Sequence, residues 1–344
     1  MASRGSIIVT GANGGLGAAI VSQIIKSPDL ATNYTGIYTV RKAVTATKLQ
    51  TTLSKAPAEH RHETLEADLA SIASTRSLAG DINDRVSKGD IPPIRALILN
   101  AGYQDHLGLT LTDDGLDPTW QVNYLANFLL SVLLLQSMDK DKGRILFIGS
   151  WGHDVDDARN EMGMKAYQDP KWRNLFPGPE LLAKGKWSTP QDDPGAESGQ
   201  RRYGASKLCA IMHMHELASR IAQDPPLSNI SVLGIDPGAM GTGLVRRSTL
   251  FLRLLMKAIP TMAALTAGSS PNATMRPTSK SGADVIRACF EIEASKGRAL
   301  YLNGTQELET AKDSRDAAKK TELWNYASKL SNINSGDTVL QNWQ

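Results

Sequence analysis

The chain has 344 residues, 41% hydrophobic and 21% charged, with a formal net charge of +3. That composition supplies a sizeable buried core, and its interspersed charges leave no electrostatic footprint for nucleic acid. Two cysteines, Cys209 and Cys289, exclude a disulfide framework. The N-terminus has no signal-peptide pattern and no apolar run reaches the ~20 residues of a transmembrane segment, so a cytoplasmic protein is expected.

The first β-rich run, "SIIVTG", leads through "TGANGGLG" into the helical segment "GLGAAIVSQIIKS". A strand, a glycine turn and a helix start form a dinucleotide cradle: glycines let the backbone approach a pyrophosphate, whose charge meets the helix N-terminal N–H groups. Gly11, Asn13, Gly15, Leu16 and Gly17 are the candidate contacts. The second run, "TGIYTV", ends at Arg41, 24 residues after Gly17, and carries no carboxylate there. An acid at this place binds the ribose 2′-hydroxyl of NAD, whereas a cation suits the 2′-phosphate of NADP. NADP(H) is the expected cofactor, with Arg41 on its phosphate.

Further strands are expected at "ETLEAD", "IRALILNAG", "RILFIGS", "NISVLGIDPG" and "RALYLNG", separated by helix-length segments such as "TWQVNYLANFLLSVLLLQSM". This alternation predicts an α/β fold, a Rossmann-type doubly wound parallel sheet of about seven strands with helices on both faces, in one domain over 1–344. Residues 151–202 interrupt the rhythm with five prolines and three tryptophans, Trp151, Trp172 and Trp187. An insert of this length is expected to be a partly ordered lid or substrate cap. A second cap segment is expected over 243–280, including the amphipathic run Leu250 to Leu265, whose other reading is attachment to a membrane surface. "YGASK" follows the insert and places Tyr203 and Lys207 on one helical face. His213 and His215, two residues apart on that helix, face different ways, so no metal site is expected.

Taken in order, these motifs resemble the short-chain dehydrogenase/reductase family over nearly the whole chain. "TGANGGLG" is similar to its TGxxxGxG turn and Tyr203 with Lys207 to its YxxxK pair. By the same resemblance Asp68 and Leu69 lie near the adenine, and Asn100, Ala101 and Gly102 form the signature ending the fourth strand. Asn123 matches the helix asparagine and Ser150 the serine after the fifth strand. Pro237, Gly238 and Thr242 resemble the segment that cradles the nicotinamide. "DGLDPTWQVNYLANFLLSVLLL" and "ELWNYASKL" look like the retinol-dehydrogenase and WW-domain-oxidoreductase branch. The separation of 53 residues between Ser150 and Tyr203 is several times the spacing usual in the family.

The resemblance implies hydride transfer between nicotinamide and a carbonyl or secondary alcohol. Tyr203 would give its proton to the developing alkoxide and Ser150 would donate a hydrogen bond to it. Lys207 would hold the ribose and acidify Tyr203, and Asn123 would hold a water that links Lys207 to solvent. A unit charge at 4 Å through an effective dielectric of about 20 contributes about 4 kcal/mol, enough to bring a phenol from pH 10 into the working range. Tyr103, Trp151 and the apolar run would wall a bulky, largely apolar substrate of secondary metabolism, and His153, beside Ser150, is a further candidate contact. The alternatives are an epimerase or dehydratase that retains its NADP, or a non-catalytic NADP-sensing scaffold. A monomer or a homodimer pairing the Asn123 and Tyr203 helices is expected.

Overall fold

The computed structural model describes residues 3–161, 165–250, 254, 258–259, 261–263, 270–294 and 297–344. Its strands are β1 (Ser6–Val9), β2 (Thr35–Val40), β3 (His62–Glu66), β4 (Ile94–Leu99), β5 (Arg144–Ile148), β6 (Ser231–Asp236), β7 (Leu300–Asn303) and β8 (Gln306–Glu307). They form one sheet in the order β3-β2-β1-β4-β5-β6-β7-β8, parallel except for the last pair. The sheet therefore has one strand more than the sequence predicts. β8 holds two residues and returns antiparallel on β7 through a turn in which Gly304 takes φ 62°, too short a strand for an alternating pattern to show.

The main helices are α1 (Gly15–Lys26), α2 (Ile72–Ser87), α3 (Ala126–Leu133), α4 (Glu197–Ala222), α5 (Thr278–Phe290) and α6 (Ala317–Leu330). Successive strand side chains point to opposite faces, and the core divides accordingly. Ile7, Val9 and Ile98 pack with Ile20 and Ile24 of α1 and Val285 of α5. Ile8, Leu97 and Leu99 pack on the other face with Leu78 of α2, Phe128 of α3 and Leu208 of α4. Both faces are covered, which is why the central strands read as continuous apolar runs.

α4 starts at Glu197, six residues before the tyrosine at which the sequence places it. The polar "ESGQRR" reads as loop, but its arginines are buried by specific partners. Arg201 donates to Ser188 Oγ at 2.8 Å and to Ala166 O at 3.2 Å, pairs with Asp193 at 3.0 Å, and stacks on Trp172. Arg202 donates to the carbonyls of Ser188 and Gly108 at 2.8 and 2.6 Å. These bonds tie the insert to the first turn of α4. The C-terminal segment covers α3 and α4: Trp324 of α6 meets Phe128 edge-on at 5.2 Å, and Thr338 donates to Val132 O at 2.9 Å. No helix among the described residues is long and apolar enough to cross a membrane.

Candidate active site

A cavity of about 1460 Å³ opens at the C-terminal ends of the parallel strands, where a doubly wound sheet places ligands. Its nucleotide half begins at the turn after β1. Gly11 takes φ 64°, and a Cβ there would lie 2.8 Å from Ala101 Cα. At Gly17 a Cβ would lie 2.3 Å from Gly11 O, so the helix can start this close to the turn only without a side chain. Asn100 fastens β4 to the turn, donating from Nδ2 to Thr10 O at 2.7 Å, while Thr10 Oγ1 accepts from the Asn100 and Ala101 N–H groups at 2.9 Å each. Asn13 Oδ1 accepts from Leu49 N at 3.1 Å and holds the turn against the short helix Thr47–Leu53. This is a cradle of backbone N–H groups at the N-terminus of α1, fitted to a pyrophosphate.

Asp68, Leu69 and Gly102 line the same half, and Arg41 stands exposed at its rim with no ion-pair partner among the described residues. Arg246 lies near enough to Arg41 for the two charges to repel, a cationic rim that an anion would relieve. Pro237, Gly238 and Thr242 close the opposite wall. Thr242 caps the turn Gly243–Arg247 and packs its methyl so close to Gly15 that a Cβ there would be 2.6 Å away.

Tyr203 and Lys207 project from one face of α4 into the junction between this half and the rest of the cavity, with Ser150 at the end of β5 beside them. Burial pushes the Tyr203 phenol well above its ordinary range, and the neighbouring Ser150 hydroxyl acts in the opposite direction. Burial also lowers the Lys207 amine to about 8, opposed by the Asp236 carboxylate. Lys207 Nζ donates to Ile148 O at 2.8 Å and lies 5.7 Å from the centre of the Tyr203 ring. Among protein groups alone, desolvation therefore outweighs the lysine, contrary to the simple expectation that the amine makes the phenol acidic.

All the expected site residues line this cavity except Asn123, which sits behind it, fully buried in a π-helical turn, Gln121–Leu125. Its amide accepts from Tyr103 N at 2.7 Å and donates to Tyr103 O and Ser206 Oγ, each at 2.9 Å. With both amide hydrogens engaged, Asn123 braces the loop that carries Tyr103. His153 also lies outside the cavity: its Nδ1 donates to Ser150 O at 2.7 Å and its Nε2 accepts from Ala311 N at 3.2 Å. It fixes the Ser150 turn from behind. His213 and His215 bond to Ser131 and Thr310 respectively, on different sides of α4.

The substrate half contains residues the sequence did not single out. Arg159 of the insert reaches Asp236 at 3.0 Å, pairs with Asp157 at 2.6 Å, and lies over Trp151. Gln104, His106 and Gln200 add a polar wall, while Tyr103, Trp151, Leu244, Ile259 and Met262 supply the apolar one. Of these, Tyr103 and Trp151 were legible in the sequence, and Ile259 and Met262 lie in the apolar run it named; Gln200 stands three residues before Tyr203, but in a stretch that reads as loop. The run Leu250 to Leu265 lies in large part outside the described residues.

A family model described as short chain dehydrogenase matches residues 6–160. Short-chain dehydrogenase iccH of Talaromyces variabilis is 46% identical over 100% of both chains. A WW domain-containing oxidoreductase of Drosophila melanogaster is 29% identical over 76% of this chain and 53% of its own. Among solved structures, the NADPH-bound carbonyl reductase from chicken fatty liver superposes with a TM-score of 0.56 at 17% identity, covering 90% of this chain and 99% of that one. Angucycline C-6 ketoreductase LanV with bound NADP gives 0.55 at 18%, covering 88% and 96%. These distant structures share the fold. With the full-length relative, the glycine cradle and the strand order in agreement, the chain belongs to the short-chain dehydrogenase family and is an oxidoreductase.

Proposed function

We propose that the protein is an NADP(H)-dependent reductase of a bulky carbonyl compound, or the corresponding alcohol dehydrogenase. The observation that carries this reading is the meeting of Tyr203, Lys207 and Ser150 at the junction of a nucleotide cradle and a roomy second compartment. A nicotinamide bound in the cradle supplies or takes the hydride and, when oxidised, brings a positive charge to the junction. Tyr203 delivers its proton to the alkoxide formed at the carbonyl oxygen, and Ser150 donates a hydrogen bond to the same oxygen. A phenol held protonated by burial is suited to the donor role. Lys207, with an amine near 8, is mostly charged at neutral pH and is placed to grip ribose hydroxyls. The two cations at the rim, Arg41 and Arg246, favour the 2′-phosphate of NADP(H) over the bare hydroxyl of NAD.

Trp151, Arg159 and Asn160 of the insert, with Leu244 and Ile259 beyond Thr242, form the cap over the second compartment. The middle of the insert, including Phe176 and Leu182, instead packs into the core beside α6. The faces of α3 and α4 through which two subunits would pair lie under the C-terminal segment, so the protein is a monomer with respect to that surface. The test is oxidation of NADPH and of NADH by the purified protein with a panel of cyclic and aromatic ketones, followed by the absorbance of the reduced nicotinamide. Turnover with NADPH favoured at least about tenfold supports the reading. Nucleotide binding without turnover of any ketone or alcohol would leave the scaffold alternative.

A further inference from the structure

Gln200 and Tyr203 are three residues apart on α4, so their side chains share one helical face about one turn apart. Gln104 and His106, on the loop after β4, line the cavity beside Gln200 and are 6% and 1% exposed. Gln104 Nε2 donates to Gln200 Oε1 at 3.0 Å and directs its other hydrogen to His106 Nε2, 2.8 Å away. The second contact requires His106 Nε2 to accept, because two donors at that distance would repel. His106 is then the Nδ1–H tautomer, its buried Nδ1 without a partner among the described residues, and burial, holding its pKa below the ordinary value, keeps the ring neutral. The 3.2 Å approach of His106 Nε2 to Gln200 Oε1 sets two acceptors side by side, both served by the one Gln104 amide.

After these bonds two polar ends of the amide pair remain. Gln200 Nε2 and Gln104 Oε1 have no hydrogen-bond partner among the described residues, and both residues line the cavity. A neutral amide donor beside a neutral amide acceptor matches a hydroxyl, which accepts from the first and donates to the second. A carboxylate matches poorly, since it cannot donate to Gln104 Oε1 and Glu197 lines the same wall. A purely hydrocarbon surface would desolvate both groups without pairing them, at about 1–3 kcal/mol each.

We infer that the substrate is a neutral, hydroxylated carbonyl compound whose hydroxyl sits between Gln200 Nε2 and Gln104 Oε1, about one helical turn (~5 Å) from the carbonyl at Tyr203. This adds one polar subsite to the bulky, largely apolar substrate expected from the sequence. The inference rests on the reductase reading for the position of the carbonyl, while the hydroxyl subsite can be detected without turnover.

The experiment is calorimetric titration of the NADP⁺-loaded protein with a matched pair, 4-hydroxycyclohexanone and 4-methylcyclohexanone. The wild-type protein is expected to bind the hydroxyl member about tenfold or more tightly. Gln200→Met and Gln104→Met, made singly and checked for an unchanged melting temperature, should each bring the ratio below about threefold. Equal affinities in the wild type, no measurable binding of either probe, or a ratio untouched in both variants would overturn the subsite. NADPH oxidation measured in parallel separates the two readings. Selective binding without oxidation of either ketone keeps the subsite and removes the hydride transfer, whereas oxidation of both at equal kcat/KM does the reverse.

Discussion

The nucleotide half of the cavity is assembled from strand ends and one glycine turn, whereas the substrate half is assembled from side chains that lie far apart in the chain. In the first, every contact has backbone on at least one side: Gly11 against Ala101, Gly17 against Gly11, and the Asn100 amide against Thr10 O. In the second they run between side chains, as from Gln104 to Gln200 across 96 residues and from Arg159 to Asp236 across the insert. Backbone-built sites tolerate no added atoms, while side-chain-built sites can change specificity one residue at a time. Arg159 crosses the boundary, because its carboxylate partner lies at the end of β6 beside the nicotinamide segment.

Substitutions can break this contrast, and the largest effect is expected where the halves meet. Arg159→Met removes the ion-pair partner of Asp236, 0% exposed, leaving Lys207 and Arg276 as the remaining cations that act on the carboxylate, and should cost at most about 3 kcal/mol in denaturant unfolding. Gly17→Ala should act on the nucleotide half alone, weakening NADPH binding about 100-fold, equivalent to about 2.7 kcal/mol, because its methyl would displace the Gly11 carbonyl. A titration showing unchanged affinity would mean that the turn yields.

Lys207→Met should stabilise the protein while removing turnover. The folded pKa, lowered from 10.5 to about 8, lies below the unfolded value. Between those two values the unfolded chain therefore binds more protons, and stability contributed by this group rises with pH. Below pH 8 the desolvation penalty, about 3 kcal/mol, is fully present. Losing the bond to Ile148 O offsets about 1 kcal/mol, so the variant should be about 2 kcal/mol more stable at pH 7, with the gain shrinking toward pH 10. Equal stability at both pH values would show that the amine is not penalised by burial. The smallest effect is expected for Arg41→Ala, about tenfold weaker binding of NADPH with NADH unchanged. Parallel losses for both cofactors would place Arg41 away from the 2′-phosphate.

The same contrast explains what could be read in advance. Strand-helix alternation and the glycine turn follow local rules, so the sheet and the residues that line the cradle were legible in the sequence. β8 was missed because two residues show no period. The start of α4 was missed because Arg201 and Arg202 look solvated until Ser188, Ala166 and Gly108 are folded against them. The sequence reading made Asn123 the holder of a water beside Lys207; its place behind the cavity as the brace of Tyr103 was not legible, since its partners come from 20 and 83 residues away. The polar wall of Gln104, His106 and Gln200 needed the tertiary fold to bring its two chain segments together.

The central claim is that the Tyr203 phenol, held protonated by burial at the meeting point of the two halves, passes its proton to the substrate oxygen. The most direct test is a rapid-mixing measurement of a single turnover by Tyr203→Phe, preloaded with NADPH and mixed with a ketone that the wild type reduces. Hydride transfer should slow by about a thousandfold while the NADPH dissociation constant stays within about threefold of wild type. Transfer at the wild-type rate in the phenylalanine variant would contradict the claim.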